Sequence, residues 1–261
     1  MNLENFLVNN TYFFFLVFLR YLGIFLVTPM FSSDVILTRI KLGLTLVLTI
    51  VTFPVLQNLY SPEFPNHILS VAGSGIRELA VGFLIGFILL LIFTAIQLAG
   101  KLIDLRMGFR IANELDPLTG SSAPIVGQLK NILGILVFLG IDGHLLIIKN
   151  LFNSFETIQP GMVMLDNYSV LELVFRRSAD LFIIGFQIAL PIVGTVFMID
   201  VLLGFLARSV PQMNIFIVGL PFKILVGFMV MYLSMNTLLY FYRGLFEQFF
   251  EDVLMLIEIL G

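Results

Sequence analysis

Long apolar runs separated by short polar stretches dominate the chain. Six of these runs have roughly the 20 residues that an α-helix needs to cross a bilayer. They cover residues 11–31, 42–62, 79–100, 131–148, 181–207 and 224–242. The pattern predicts an all-α integral membrane protein of about six apolar helical segments.

Four stretches depart from this pattern. The segment 101–130 is rich in glycine and proline, which makes a continuous helix improbable there. The segment 149–180 contains the turn signal Pro160-Gly161 and then a mixed-polarity stretch typical of an interfacial helix. Residues 208–222 are too polar and too rich in proline and glycine for a simple lipid-facing helix. The acidic, amphipathic tail from Arg243 predicts a segment that lies along a surface or a partner.

Composition supports the membrane assignment and excludes several functions. Of the 261 residues, 59% are hydrophobic and only 12% are charged, whereas soluble domains carry roughly 25% charged residues. With 14 basic and 17 acidic residues and a net charge of −3, the chain has no basic stripe for nucleic acid. It has no cysteine, which excludes disulfides and thiolate metal sites. Zinc-protease, nucleophile-elbow and phosphate-loop motifs are absent, so we expect neither an enzyme nor a cofactor.

Three charged residues interrupt the apolar runs: Arg20, Asp142 and Asp200. A charge at membrane depth costs about 2.5–3.5 kcal/mol on insertion scales, so each needs a partner, a cavity or access to the interface. They are candidates for an ion relay or for pairing between subunits. The alternative is that they are buried in protein contacts or reach the interface.

Glycine and proline positions point to close packing within a larger assembly. Gly82 and Gly86 have the GxxxG spacing that lets two helices approach closely. Pro191, Pro211 and Pro221 remove backbone donors within apolar regions. Such backbone is tolerated at membrane depth where it is buried in protein or lines a cavity.

The segment 107–128 mixes polar and apolar residues between two strongly apolar helices. Asp116-Pro117 and Gly120 favour turns, so we expect a folded-back loop. Irregular backbone between spans must be covered by protein or line an aqueous path. From the residues alone, a pore plug and an ordinary surface connection are both open.

An ordered series of short motifs runs through nearly the whole chain. It comprises Arg20-Tyr-Leu-Gly, Pro29-Met-Phe, Arg39-Ile-Lys-Leu-Gly-Leu, Glu78-Leu-Ala-Val-Gly-Phe-Leu-Ile-Gly-Phe, Gly100-Lys-Leu-Ile-Asp-Leu-Arg-Met-Gly-Phe, Asp116-Pro, Phe138-Leu-Gly-Ile-Asp-Gly-His, Leu190-Pro, Gly204-Phe-Leu-Ala-Arg-Ser-Val-Pro-Gln-Met-Asn-Ile-Phe and Gly219-Leu-Pro-Phe. Together these motifs resemble the family of type III secretion export-gate subunits. The ordered series, rather than any one motif, carries the resemblance.

The resemblance implies a structural subunit of the flagellar protein export gate in the bacterial inner membrane, at the basal body. Implied partners are FliP-type, FliQ-type and FlhB-type membrane subunits, the lipid bilayer and the unfolded flagellar proteins that pass through the gate. Residues 1–261 would form a single export-gate domain of tilted helical hairpins within a larger helical assembly. A FliP-like N-terminal part and a FliQ-like C-terminal part would meet near residue 180.

The resemblance also implies that the loop plugs the pore. The implied plug residues are Gly108, Phe109, Ile111, Leu115, Asp116, Pro117, Gly120 and Pro124. Methionine and phenylalanine side chains of neighbouring subunits would complete the seal, because methionine repacks easily around different shapes.

A second set of polar residues is predicted to form subunit interfaces or buried charges. Its members are Arg20, Asp142, Asp200, Arg208, Gln212 and Asn214. The cluster around Pro211 either ends a helix or pairs with a neighbouring subunit, and we favour pairing. The alternative function is a secondary transporter or ion channel that uses Asp142 and Asp200.

Overall fold

The computed structural model describes residues 3–29, 37–60, 64–65, 67–109, 124–163, 168–210 and 215–261. All regular secondary structure in these ranges is helical. The helices are α1 (Leu3–Val27), α2 (Thr38–Leu59), α3 (Ile68–Met107), α4 (Ile125–Gly140), α5 (Gly143–Thr157), α6 (Tyr168–Ser209), α7 (Ile215–Leu233) and α8 (Met235–Leu260).

Four helices, α1, α2, α3 and α6, are long and apolar enough to cross a membrane. Two bent pairs, α4 with α5 and α7 with α8, also qualify when each pair is taken as one span. The described part of the chain therefore has four to six candidate spans, which confirms the prediction of an all-α membrane protein with about six apolar segments.

Helix boundaries differ from the sequence prediction in both directions. α3 has 40 residues and α6 has 42, so both extend well beyond the predicted runs 79–100 and 181–207. The prediction of a separate interfacial helix before Arg177 is wrong, because that stretch is the first part of α6. The run 131–148 breaks instead at Asp142, whose backbone is left-handed with φ 56°.

Part of the stretch 208–222, which is predicted not to form a simple lipid-facing helix, is nevertheless helical. α7 begins at Ile215 and contains Pro221, so the second half of this stretch is helical. Pro191 likewise lies inside α6. Each proline removes one backbone donor without ending its helix, as occurs in membrane helices whose neighbours satisfy the freed carbonyl.

The chain forms two compact units, each assembled from separate stretches of sequence. Unit 1 contains Met1–Leu91, Asp142–Arg177 and Glu247–Gly261, and unit 2 contains Ile92–Ile141 and Ser178–Phe246. The long helices α3, α6 and α8 therefore contribute residues to both units.

Direct contact between α1 and α3 organises unit 1. The inward face of α1 carries Phe13, Leu16, Tyr21 and other fully buried side chains at helical spacing. A Cβ added to Gly82 would overlap the carbonyl oxygen of Arg20, and one added to Gly86 would lie 3.1 Å from the carbonyl oxygen of Ile24. The two backbones are thus in contact, which confirms the close approach predicted from the GxxxG spacing.

An aromatic cluster lies in the core of unit 2. The rings of Phe93, Phe138 and Phe246 are fully buried. Their centroids are 6.2 Å (Phe93 to Phe138), 5.6 Å (Phe93 to Phe246) and 5.1 Å (Phe138 to Phe246) apart. Phe138 packs edge-on against both other rings, and Phe93 and Phe246 are tilted against each other; these separations are typical of favourable aromatic packing.

The C-terminal tail packs into unit 1. Its buried residues include Val253, Leu256 and Leu260. Asp252 is also buried and pairs with Arg177 at the start of α6. The expectation that the tail lies only along a surface or a partner is therefore wrong, because its apolar face is part of the chain's own core.

Candidate functional site

A fully buried ion pair joins α1 to α3 in unit 1. Arg20 Nε donates a hydrogen bond to Glu78 Oε2 at 2.6 Å, and neither side chain is exposed. The guanidinium also donates to Ser154 Oγ at 3.1 Å and to the Ile158 carbonyl oxygen at 3.0 Å. Its carbon lies 4.2 Å from the centre of the Phe155 ring. The structure thus places Arg20 as a buried charge with partners inside its own chain.

Glu78 holds a second segment through its other carboxylate oxygen. The backbone N–H of Gly161 donates to Glu78 Oε1 at 2.7 Å. Gly161 has a φ of 88°, a left-handed conformation that glycine adopts without strain. One carboxylate therefore neutralises a buried arginine and fixes the turn that follows α5, so both of its oxygens accept charge-assisted hydrogen bonds.

A second buried acid lies at the junction of α3 and α4 in unit 2. Asp104 is 2% exposed. Its Oδ1 accepts the N–H of Val126 at 3.1 Å and its Oδ2 accepts the N–H of Gly127 at 3.2 Å. N–H groups in the first turn of a helix have no acceptor within that helix. Pro124 at the N-cap supplies no side-chain hydrogen bond to them. Asp104 therefore caps α4 from a neighbouring helix.

Three of the predicted plug residues lie beside this junction. α3 ends at Met107, and the next residue, Gly108, is buried and has a φ of 89°. The Phe109 ring packs edge-on against Phe228, with 6.0 Å between centroids. Pro124 precedes α4 and is half-buried. The remaining predicted plug residues lie outside the described residues: Ile111, Leu115, Asp116, Pro117 and Gly120.

A cavity of about 700 Å³ lies among α3, α6 and α7 in unit 2. Its lining brings together two predicted residues, Gly108 and Asp200. Asp200 forms an ion pair with Lys223, and both side chains are partly exposed. Arg106 also lines the cavity.

The other predicted interface residues are more exposed. Asp142 is exposed at the break between α4 and α5, where its side chain makes no cap hydrogen bond. Arg208 is exposed in the last turn of α6, where a cation complements the helix dipole. Gln212 and Asn214 lie outside the described residues.

Sequence reasoning missed the partners rather than the charges. Glu78 and Asp104 stand inside the quoted motifs, yet neither was predicted as a site residue. Each lies four residues from a glycine of a close helix contact, Glu78 from Gly82 and Asp104 from Gly100. Because residues four apart share a helix face, this spacing is a signal that could have identified both acids. Within the described ranges, no cluster of three His, Cys, Asp or Glu residues could hold a metal ion.

The sequence of the chain is similar to those of known bacterial proteins over most of its length. A family model described as bacterial export proteins, family 1, matches residues 11–249. A flagellar biosynthetic protein FliR from Bacillus subtilis strain 168 is 31% identical over 250 residues, which cover 95% of each chain. A FliR protein from Pectobacterium carotovorum is 36% identical over 240 residues, covering 91% of this chain and 90% of the relative. The FliR protein of Escherichia coli K12 is 31% identical over 238 residues, with the same coverage. The chain therefore belongs to family 1 of the bacterial export proteins.

Proposed function

We propose that this membrane component of a bacterial flagellar export apparatus helps to form the export pore and plugs it at rest. It is a structural protein, not an enzyme. Unfolded flagellar proteins would displace the plug as they thread through the pore. The proposed location is the inner membrane at the flagellar basal body, and the proposed partners are FliP-type, FliQ-type and FlhB-type subunits.

The length and exposure of α6 carry the proposal of a larger assembly. Its 42 residues span about 63 Å at 1.5 Å per residue. Even at a tilt of about 40°, this length rises roughly 48 Å, more than the roughly 30 Å hydrocarbon core. Lipid alone would leave part of α6 uncovered.

The exposed apolar side chains of α6 run from Phe175 to Phe205, about 45 Å at 1.5 Å per residue. At the average tilt of about 20° this stretch rises about 42 Å, more than the hydrocarbon core. Phe175, Phe182, Phe186, Leu190 and Phe205 are each at least 58% exposed. An apolar stripe that continues beyond the hydrocarbon core needs protein against it, since contiguous exposed patches of this kind mark interaction sites. This favours a subunit surrounded by others over a self-sufficient transporter.

The proposed plug is supported by how its two ends are held. Gly108 turns the chain at the end of α3, and Asp104 fixes the first turn of α4. The connection thus begins and ends where α3 and α4 are in contact. A loop with fixed ends can block a pore and return to the same place after a polypeptide has passed.

Exposed Arg208 supports pairing with a neighbouring subunit. It ends α6 without burial, next to the polar cluster around Pro211. An acidic group of a partner would meet it in a contact of low dielectric, where loss of either charge is costly. Arg208→Ala should therefore lower the yield of the assembled complex, and a normal yield would contradict this role.

The observations give less support to the alternative, a transporter or channel that uses Asp142 and Asp200. Asp142 is exposed at a helix break, and Asp200 already pairs with Lys223. A relay needs acids that are available to bind and release the transported ion. Ion movement by the isolated chain in liposomes, dependent on either aspartate, would favour this alternative.

The plug is tested by replacing residues 110–123 with a Gly/Ser linker of equal length. Gly108, Phe109 and Pro124 are kept, so the junction is preserved. The assembled gate should then leak small ions, measured as dye or ion entry into cells that carry the complex. The control replaces residues 164–167, between α5 and α6, with a Gly/Ser linker of equal length and should stay sealed. A sealed membrane with an assembled loop variant would refute the plug.

Assembly is tested separately by affinity purification of the tagged chain in mild detergent. A gate subunit should bring several other membrane proteins with it. Purification of the chain alone, together with binding of a small solute, would support the transporter instead.

A further inference from the structure

The strongest unassigned feature is the buried carboxylate of Asp104. We infer that Asp104 is a positioning residue that holds the start of α4 against the end of α3, and that sealing of the gate at rest depends on this contact. The inference rests on the proposed plug and adds the residue that fixes its base.

The first observation is the geometry of the carboxylate. Asp104 comes from the last turn of α3, yet it accepts two N–H groups from residues that follow it by 22 and 23 positions. Each oxygen takes one donor, and the side chain is 2% exposed. The N-terminus of a helix carries partial positive charge, so a buried carboxylate there is favourable.

The second observation is backbone contact one turn away. A Cβ added to Gly100 would lie 2.6 Å from the backbone nitrogen of Gly127, closer than real Cβ contacts come. The two helices therefore meet without intervening side chains. Asp104 and this glycine contact lie four residues apart on α3, on the same face. The carboxylate and the glycine contact therefore both hold the first turn of α4.

The third observation is that, among the described residues, the Asp104 side chain supplies the acceptors for the first turn of α4. Pro124 lacks an N–H and makes no side-chain cap for α4. On the other side, Gly108 has a left-handed backbone. Without the Asp104 carboxylate, the donors of Val126 and Gly127 would be buried and unpaired, so the first turn of α4 would open to find water.

The experiment uses the assembled export complex with Asp104→Ala, Asp104→Asn and the unchanged chain. Because the chain has no cysteine, Val126→Cys reports opening of the junction through maleimide labelling. Val126 is fully buried. Val196→Cys, fully buried on α6, is the matched control for general loosening. Ion leak is measured as ion or dye entry into cells that carry each of these complexes.

Asp104→Ala should raise labelling at position 126 at least tenfold and make the resting gate leak, while position 196 stays unlabelled. Asp104→Asn keeps one acceptor and should give an intermediate leak. Gly100→Ala disturbs the same junction without touching the carboxylate and should also leak. Glu156→Gln, an exposed acid elsewhere, should leave the gate sealed.

Three results would overturn the inference. The first is a sealed gate in assembled Asp104→Ala complexes. The second is failure of both Asp104 variants to assemble, and the third is labelling at position 196 as well as 126; either of these would mean that Asp104 serves general folding. If the linker replacement of residues 110–123 leaks but Asp104→Ala does not, the plug stands and only the role of Asp104 fails. If neither leaks, the plug itself is refuted.

Discussion

The Arg20–Glu78 pair should be strongly coupled, and a double-mutant cycle can measure this. We consider Arg20→Met, Glu78→Gln and the double variant. Among the described contacts, Arg20→Met leaves the buried Glu78 carboxylate with the Gly161 N–H, and Glu78→Gln leaves a buried guanidinium without its counter-charge. Each single change should therefore be much worse than its loss of contacts suggests.

The expected magnitude follows from the burial of both groups. Removing one partner of a buried ion pair costs about 3–5 kcal/mol, whereas replacing both partners by neutral residues is often close to neutral. The double variant would still lack the hydrogen bonds that Arg20 donates to Ser154 and to the Ile158 carbonyl. The single changes sum to about 6–10 kcal/mol, whereas the two charged hydrogen bonds missing from the double variant cost about 3–6 kcal/mol. We therefore expect the double variant to be less destabilised than the sum of the singles by about 3 kcal/mol, roughly a 150-fold effect on the unfolding equilibrium.

The assay is unfolding of the purified chain in mixed detergent micelles, followed by circular dichroism. Arg77→Met is the matched control, since Arg77 is the exposed neighbour of Glu78 and should change stability by less than about 0.5 kcal/mol. Additive effects of the two single changes would refute the reasoning. So would single variants as stable as the Arg77→Met control.

Three further predictions concern packing and the exposed acid. Gly82→Ala should destabilise the chain because its Cβ would meet the backbone of α1, whereas Gly194→Ala, in open space on α6, should be neutral or slightly stabilising; thermal unfolding compares them. Phe138→Ala should cost about 3–5 kcal/mol because the ring is fully buried, while Phe182→Ala at 59% exposure should cost far less in the same assay. Asp142→Asn should leave secretion of flagellar proteins within about twofold of the unchanged chain, since the side chain is exposed and caps nothing; a severe loss would favour the ion-relay function.

The all-α class and about six apolar segments could be predicted from sequence because apolar length is visible in the residues. The ends of the helices could not. α3 continues through Glu78 and Asp104, charges that look like boundaries in a hydropathy profile. Both are buried with partners, so neither forces the helix to end.

The partners themselves were hidden by sequence distance. Glu78 meets Arg20 58 residues away and Gly161 83 residues away. Asp104 accepts hydrogen bonds from backbone N–H groups, which every residue except proline carries. The residue types at positions 126 and 127 therefore give no indication of this contact. The break at Asp142 was more visible, because glycines stand two residues before and one residue after it in a chain that is otherwise strongly helical.

The discontinuous make-up of unit 1 has a consequence for synthesis of the protein. Arg20 leaves the ribosome 138 residues before Ile158, one of its hydrogen-bond acceptors. At about 5–20 residues per second, that interval is roughly 7–28 s. During this time α1 and α3 can already pair through Arg20 and Glu78, but the guanidinium lacks the groups supplied by α5 and the turn after it. A chain truncated before Ser154 would remain in that incomplete state. The packing of α1 around Arg20 is therefore completed only after α5 and the following turn have been synthesised.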